Sequence, residues 1–486
     1  MGNNNFTGIW ILAAVLCIIA CRRDDYYENN DVQLRFSLDT LRFDTVFTTL
    51  GSATRWVKVY NPKDQPVLID ISLKNQNNRF FRINADGIKG PVAKNVEIGS
   101  LDSIYIFVET TIDPNQPLSI SPFIIEDQIE VSVNGNIQQI YLEAWGQNAN
   151  YVPSTSGRGK GALLSCNFGQ RTWNDPKPYV IYGILIIDSC TLVLPPGCRI
   201  YVHGGIVRDS SSAYNDGLIV FNKFGKLDSK GTVDRPVIIQ GSRLEKEFED
   251  VKSQWVGILF WYQSSNNKLT HTVIKNSIIG IRADSLADVS MYSCRIFNTG
   301  GPAVIGRHAK IYGENCLMYD NSSYGMQLTY GGDYTFNYCT IANYEGQNEA
   351  VVLTDFYCSD PLCSKGAKVN RLNANFNNCI FAGSDKDEVG LVRVGEKIDF
   401  KYKFNNCAVK ADELLLPKNH PDFFDQCTSC INLKNTDKLF LKRNMSDYRL
   451  DTMSVALGKG KFLNQVPFDI LNKARKSTPD LGCFEF

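Results

Sequence analysis

The tetrapeptide Phe-Asn-Asn-Cys occurs twice in this chain, at Phe376–Cys379 and Phe404–Cys407, and Phe-Asn-Tyr-Cys precedes both at Phe336–Cys339. With the cysteine as position zero, the motif extends to Thr272, Cys294, Cys316, Cys339, Cys379 and Cys407, at successive spacings of 22, 22, 23, 40 and 28. Two places later stand Ile274, Ile296, Met318, Ile341, Phe381 and Val409, and three places earlier Leu269, Met291, Gly313, Phe336, Phe376 and Phe404. Asn276, Asn298, Asp320 and Asn343 follow at plus four, before the pattern relaxes to Gly383 and Ala411. A period near 22 carried by strand-like residues predicts a solenoid, each repeat being one coil of stacked parallel strands.

Positions zero and plus two share a strand parity, so both point inward. Position minus three has the opposite parity, which a two-residue bend at Asn377-Asn378 or Asn405-Asn406 restores, because asparagine accepts the left-handed region. A second apolar strand is expected in each coil, at Gly280-Ile281, Ala303-Val304, Gly325-Met326, Ala350-Val351 and Gly390-Leu391. Cys294, Cys316, Cys339, Cys379 and Cys407 therefore form an interior column, stacked about 4.8 Å apart as small hydrophobes. The asparagines at plus four are expected to stack likewise and to satisfy turn amides. This structural reading outweighs a metal-binding one, since the four histidines lie far apart in sequence.

Upstream, Thr191–Val202, Gly225–Gly231, Pro236–Ile239 and Trp255–Phe260 continue the coils, and 160–486 forms one solenoid. That run resembles the right-handed parallel β-helix superfamily of bacterial surface proteins. Asp447–Leu450, Ser454–Gly458 and the ending Pro479–Glu485 resemble the closing segment of such lipoproteins. Residues 33–148 read differently: alternation in Trp56–Tyr60 and Ser103–Val108, with Asn134-Gly135 between alternating runs, predicts an all-β sandwich with a hairpin. The segment resembles the immunoglobulin-like modules of surface lipoproteins without their paired cysteines, and its expected role is that of a spacer. The fold class is all-β throughout.

Residues 1–20 contain a 12-residue apolar run, Ile9–Ala20, about 18 Å long as a helix against a hydrocarbon core of roughly 30 Å. That length suits a signal-peptide core rather than a span. Ile18-Ile19-Ala20-Cys21 resembles the bacterial lipobox, which implies lipidation at Cys21, although no Lys or Arg precedes the run. Residues 21–32 then form a tether. Its Arg22-Arg23-Asp24-Asp25 resembles the tag of lipoproteins sent to the outer face of the outer membrane, so an outer-membrane, surface-exposed location is expected.

Chemistry in a solenoid sits on a lateral face or in loops that interrupt coils. The interruptions are Arg208–Gly217, the charged Ser242–Gln254, expected to hold a short helix, and an insertion around Asp355–Asn370. Within it Cys358 and Cys363 are candidates for a loop disulfide. Cys427 and Cys430 form a Cys-x-x-Cys that leaves open a bridge, unpaired thiols, a redox pair or half of a zinc site shared with Cys358 and Cys363. Arg282, Asp284, Asp288, Arg307, His308, Lys310 and Glu314 are candidate catalytic groups, and Tyr262, Tyr319, Tyr330 and Tyr344 candidate sugar platforms. No nucleophile elbow, phosphate loop or dinucleotide fingerprint occurs. Lysines and arginines balance aspartates and glutamates at 51 each, so no global field recruits nucleic acid. The expected function is non-catalytic binding of a polysaccharide or cell-surface glycan. The alternative is a polysaccharide lyase or glycosidase acting on an acidic polysaccharide. No metal or cofactor is expected, Ca²⁺ only for a lyase.

Overall fold

The computed structural model describes residues 25–47, 54–76, 80–111, 123–147, 149–152, 161–208, 213–244, 246–360 and 363–486. Cys21 and the apolar run before it lie outside them. The chain divides into two compact units between residues 148 and 149. Among the described residues there is no α-helix, and only short 3₁₀ turns interrupt the strands.

The first unit contains two five-stranded sheets, one ordered 35–36, 55–60, 103–110, 81–85, 88–90 and the other 40–47, 136–147, 123–133, 67–73, 92–98. Strands 40–47 and 136–147 pair in parallel, and the remaining pairs are antiparallel. Alternation does the sorting: Val67, Ile69, Ile71 and Leu73 from one sheet and Ile104, Ile106 and Val108 from the other enter one apolar cluster. Asn134 and Gly135 turn the 123–133 strand into its partner, with φ of 46° and 87°.

The second unit is a stack of coils. One parallel ladder has eleven strands, from Asn150–Val152 to Ile431–Asn432. A seventeen-stranded sheet holds the other two ladders, which merge where Val304–Glu314 and Met326–Asn337 each run through both. The register of the first ladder places Thr272, Cys294, Cys316, Cys339, Cys379 and Cys407 at equivalent positions, with Cys430 next in line. The first six are completely buried, as are Ile274, Ile296, Met318, Ile341, Phe381 and Val409 at plus two.

Each letter of Phe-Asn-Asn-Cys has a separate task. The phenylalanine points inward, and Phe376 stacks on Phe336 and Phe404 with ring centroids 5.7 and 4.7 Å apart. Gly313 fills the same column because a Cβ there would stand 2.6 Å from the Phe336 ring. The first asparagine points outward. The second is the bend: His271, Ser293, Asn315, Tyr338, Asn378, Asn406 and Ser429 all have φ between 39° and 55°. The cysteine returns inward, and its thiol faces carbonyls at the corner, as Cys379 does the oxygens of Phe336 and Asn377 at 3.4 and 3.3 Å. Burial pushes the column thiols well above their ordinary pKa, so they are protonated donors.

Two expectations need correction. The last strand of the second ladder aligns Val351 with Val389, two residues earlier than the Gly390-Leu391 pairing. Glu388 thus takes the place of the small residues Gly280, Ala303, Gly325 and Ala350. Gly383 makes room for it, since a Cβ there would collide with the Glu388 carboxyl. The plus-four asparagines do not satisfy turn amides. Asn276 donates to the carbonyls of Glu249 and Val251, and Asn343 to those of Ser323 and Asn348.

The tail lies along the outside of the first ladder. Leu433, Leu439, Leu450, Ala456 and Leu481 cover Ile380, Ala382 and Ala408, while Tyr448, Ile470, Cys483 and Phe484 cover Leu317, Tyr319 and Ala342. It is fastened at the bends: Asn378 accepts from Lys461 N and donates to its carbonyl, both at 2.8 Å, and Tyr338 donates to that carbonyl at 2.8 Å. Arg475 and Glu485, both inaccessible to solvent, pair at 3.3 Å, and Arg475 also bonds Asn315 and lies 3.7 Å from the Tyr338 ring centroid. The C-terminal end of the interior is closed by Phe423, whose ring meets Phe404 edge-on at 5.3 Å.

Candidate functional site

The third ladder turns alternate residues outward on one lateral face. Register gives three columns: Asp288, Lys310, Asp333, Asn373 and Lys401; Lys268, Ser290, Tyr312, Thr335, Asn375 and Lys403; and Thr270, Tyr292, Glu314, Asn337, Asn377 and Asn405. Four members of the third column and Tyr312 of the second form a chain of side-chain hydrogen bonds. Asn405 donates to Asn377 at 2.9 Å, Asn377 to Asn337 at 2.8 Å, Asn337 to the Tyr312 hydroxyl at 3.2 Å, and that hydroxyl to Glu314 at 2.6 Å. Tyr292 and Tyr312 lie 5.7 Å apart, with Lys268 5.1 Å from the Tyr292 ring centroid. The result is a pre-ordered strip of amides, hydroxyls and half-exposed rings, held by the rigid ladder.

One edge of this face is the corner between the second and third ladders, where Leu286, His308 and Tyr330 take left-handed backbone in successive coils. The insertion forms a hairpin there, Phe356–Cys358 pairing with Ala367–Val369. Its Tyr357 ring lies 3.8 Å from the Arg307 guanidinium and 5.9 Å from Tyr330, which meets His308 at 5.6 Å. Burial lowers the His308 pKa, so its imidazole is neutral at pH 7, and its Nδ1 is buried without a hydrogen-bond partner.

The catalytic candidates are distributed rather than convergent. Arg282 and Asp284 pair with each other at 2.9 Å, and Lys310 with Asp288 at 2.9 Å. Asp333 accepts from Asn373 at 3.3 Å. Burial raises the Glu314 carboxyl, and Tyr312 holds it. The four tyrosines do not share one side. Tyr319 is buried beneath the tail against Tyr448, Tyr330 stands at the corner, Tyr344 lies under Arg443, and Tyr262 is exposed.

Cys358 and Cys363 are joined in a disulfide inside the hairpin, so neither is available to a zinc site with Cys427 and Cys430. Cys427 and Cys430 are unpaired thiols. Register aligns Cys427 with Phe404 and Cys430 with Cys407, so Cys427-Thr428-Ser429-Cys430 is a further copy of the motif. The signal was present in the spacing: Cys407 and Cys430 lie 23 apart, as do Cys316 and Cys339. A second disulfide, Cys166–Cys190, joins the first coil to the next, and neither cysteine falls on the Phe-Asn-Asn-Cys column. Among the described residues of 242–254, Lys246–Phe248 form a 3₁₀ turn where a short helix was expected.

No family model matches the sequence, and no curated protein matches it. Among solved structures, the catalytic unit of a GH87 α-1,3-glucanase from Streptomyces thermodiastaticus is 8% identical, with 73% of each chain covered and a TM-score of 0.34. A GH87 α-1,3-glucanase catalytic domain in complex with nigerose is 12% identical over 73% of this chain and 80% of that one, at 0.18. A family 123 glycoside hydrolase from Clostridium perfringens is 10% identical at a TM-score of 0.19, over 30% of this chain and 31% of its own length. At such overlap these likenesses carry no inference about this chain's ligand.

Proposed function

We propose that this chain is a lipid-anchored, surface-exposed protein of a bacterial outer membrane that binds a polysaccharide or cell-surface glycan without cleaving it. In this reading residues 1–20 are removed and Cys21 carries the lipid. Residues 33–148 are an immunoglobulin-like sandwich, and 160–486 are a right-handed parallel β-helix whose third-ladder face is the binding strip. The observation that carries the binding role is that strip. The half-buried Asn405 and Asn377, ordered through the buried Asn337, offer amide donors and acceptors to sugar hydroxyls, and Tyr292 and Tyr312 offer ring faces to sugar C–H groups. Binding is favoured over cleavage because Asp284, Asp288, Asp333 and Glu314 are each held by a neighbouring side chain, whereas hydrolysis needs a raised acid facing a second, working carboxylate. Outside the solenoid, Trp56, Tyr105 and Phe107 form an exposed aromatic row on one sheet of the first unit, with Trp56 5.1 Å from Tyr105. That row suits the same chemistry and gives the first unit more than a spacing role.

Affinity electrophoresis through gels containing pectin, alginate, xylan or an α-glucan tests the binding. The wild-type chain is expected to be retarded by at least one polymer, and Tyr292→Ala to weaken that retardation about tenfold, equivalent to about 1.4 kcal/mol. Equal retardation of the two proteins would remove the strip from the account, and release of unsaturated uronates or new reducing ends would replace binding by cleavage. Lipidation has its own test. Each buried methylene contributes about 0.8 kcal/mol to anchoring, so Cys21→Ser is expected to move the protein from the membrane to the soluble fraction. Unchanged fractionation would contradict the anchor.

A further inference from the structure

Along the first ladder, the tail and three coils line a cleft of about 340 Å³. Tyr344, Ser384 and Lys410 come from successive coils, and Lys434, Asn435, Asp437 and Arg443 from the segment that turns back along the ladder. Its charge is one-sided. Among the described residues Lys410, Lys434 and Arg443 form no ion pair, and Asp437 is the sole carboxylate lining the cleft. Arg443 is instead positioned by an aromatic ring, with its guanidinium 4.2 Å from the Tyr344 centroid. Lys410 is fixed by donating to the Gly383 carbonyl at 3.1 Å. Burial pushes the neighbouring Glu388 carboxyl up to about 8, which favours its neutral form and weakens its pull on Lys410.

We propose that this cleft binds the carboxylate end of a uronic acid residue. The class of ligand rests on the glycan-binding reading, but the residues are separate from the strip. Two cations held in place, Lys410 by a carbonyl and Arg443 by a ring, with the exposed Lys434 beside them and none of the three in an ion pair, leave a site suited to an anion. The remaining lining narrows which anion. The Asp437 carboxylate, already accepting from Lys434 N at 2.8 Å, would repel a dianion such as phosphate but accepts from a sugar hydroxyl. The Ser384 hydroxyl donates to the Tyr344 carbonyl at 2.7 Å and keeps its lone pairs for another hydroxyl, and the Asn435 amide supplies both donor and acceptor. A hydroxyl-rich monoanion satisfies this mixture.

Calorimetric titration of the full-length chain with galacturonate and glucuronate, galactose and glucose, and inorganic phosphate tests the proposal. Saturable uronate binding is expected, falling with added salt, with neutral sugars and phosphate at least tenfold weaker. Lys434→Ala with Arg443→Ala is expected to weaken uronate binding tenfold or more. Lys434→Glu alone, at an exposed position whose backbone rather than side chain makes the Asp437 contact, does the same without disturbing the fold. Absence of uronate binding, binding unchanged in both variants, or phosphate binding as tightly as uronate would each overturn the assignment. Tyr292→Ala should leave monosaccharide uronate binding intact, so loss of the strip and loss of the cleft give different results.

Discussion

Replacing Arg475 by Met will loosen the tail from the solenoid by about 3–5 kcal/mol, the usual cost of removing one member of a buried ion pair. Arg475 and Glu485 are both sealed from solvent, and Arg475 also donates to Asn315 at 2.7 Å and to the Gly482 carbonyl at 3.0 Å. Its loss leaves the Glu485 carboxylate with the backbone amides of Asp480 and Lys476, at 3.1 and 3.3 Å, and with the half-exposed Lys476 ammonium at 4.0 Å. The effect is local, so hydrogen exchange is the measurement. The amides of Gly482 and Cys483, which bond Asn378 O and Thr340 Oγ1 at 2.8 and 3.0 Å, should lose roughly two to four orders of magnitude of protection. Adding Glu485→Gln should recover part of it, because the double variant removes both charges of the pair. Protection unchanged in Arg475→Met would mean that apolar cover alone holds the tail.

Phe376→Ala carries the other large expected effect, about 3–5 kcal/mol of destabilisation from lost transfer energy and the cavity left behind. The ring is completely buried, stacked between Phe336 and Phe404 and met edge-on by Phe381 at 5.2 Å. Interior neighbours above and below belong to rigid coils and relax little into the gap. Phe376→Leu keeps most of the volume and should cost about 1.5 kcal/mol or less. Denaturant midpoints of the three proteins check the order. A Phe376→Ala variant no less stable than Phe376→Leu would show that the aromatic stack is not a packed column.

The coil period was legible because inward positions repeat at fixed offsets and the bend leaves a chemical mark, asparagine at a left-handed position. That mark also hid part of the pattern. Where cysteine replaces phenylalanine at Cys427, the motif reads as an isolated Cys-x-x-Cys, although its backbone continues the stack. The outward columns follow from the same register, and Tyr292 and Tyr312 were recoverable by counting two residues from Ser290 in one coil and from Lys310 in the next. The cleft was not recoverable. Bringing Lys434 and Arg443 to Tyr344 depends on where the tail docks, and docking is decided by Asn315, Tyr338 and Asn378, whose side chains read in sequence only as bend residues. Glu388 shows the same limit: an acid at a position of small residues becomes intelligible once Gly383 is seen to vacate the space.

The stacking of the coils is tested most directly by locating the sulfur atoms through their anomalous scattering in a crystal of the native protein. The account predicts peaks for Cys294, Cys316, Cys339, Cys379, Cys407 and Cys430 in one line, at the inter-strand spacing of about 4.8 Å. Peaks dispersed through the unit, or Cys430 standing off the line of the other five, would contradict it.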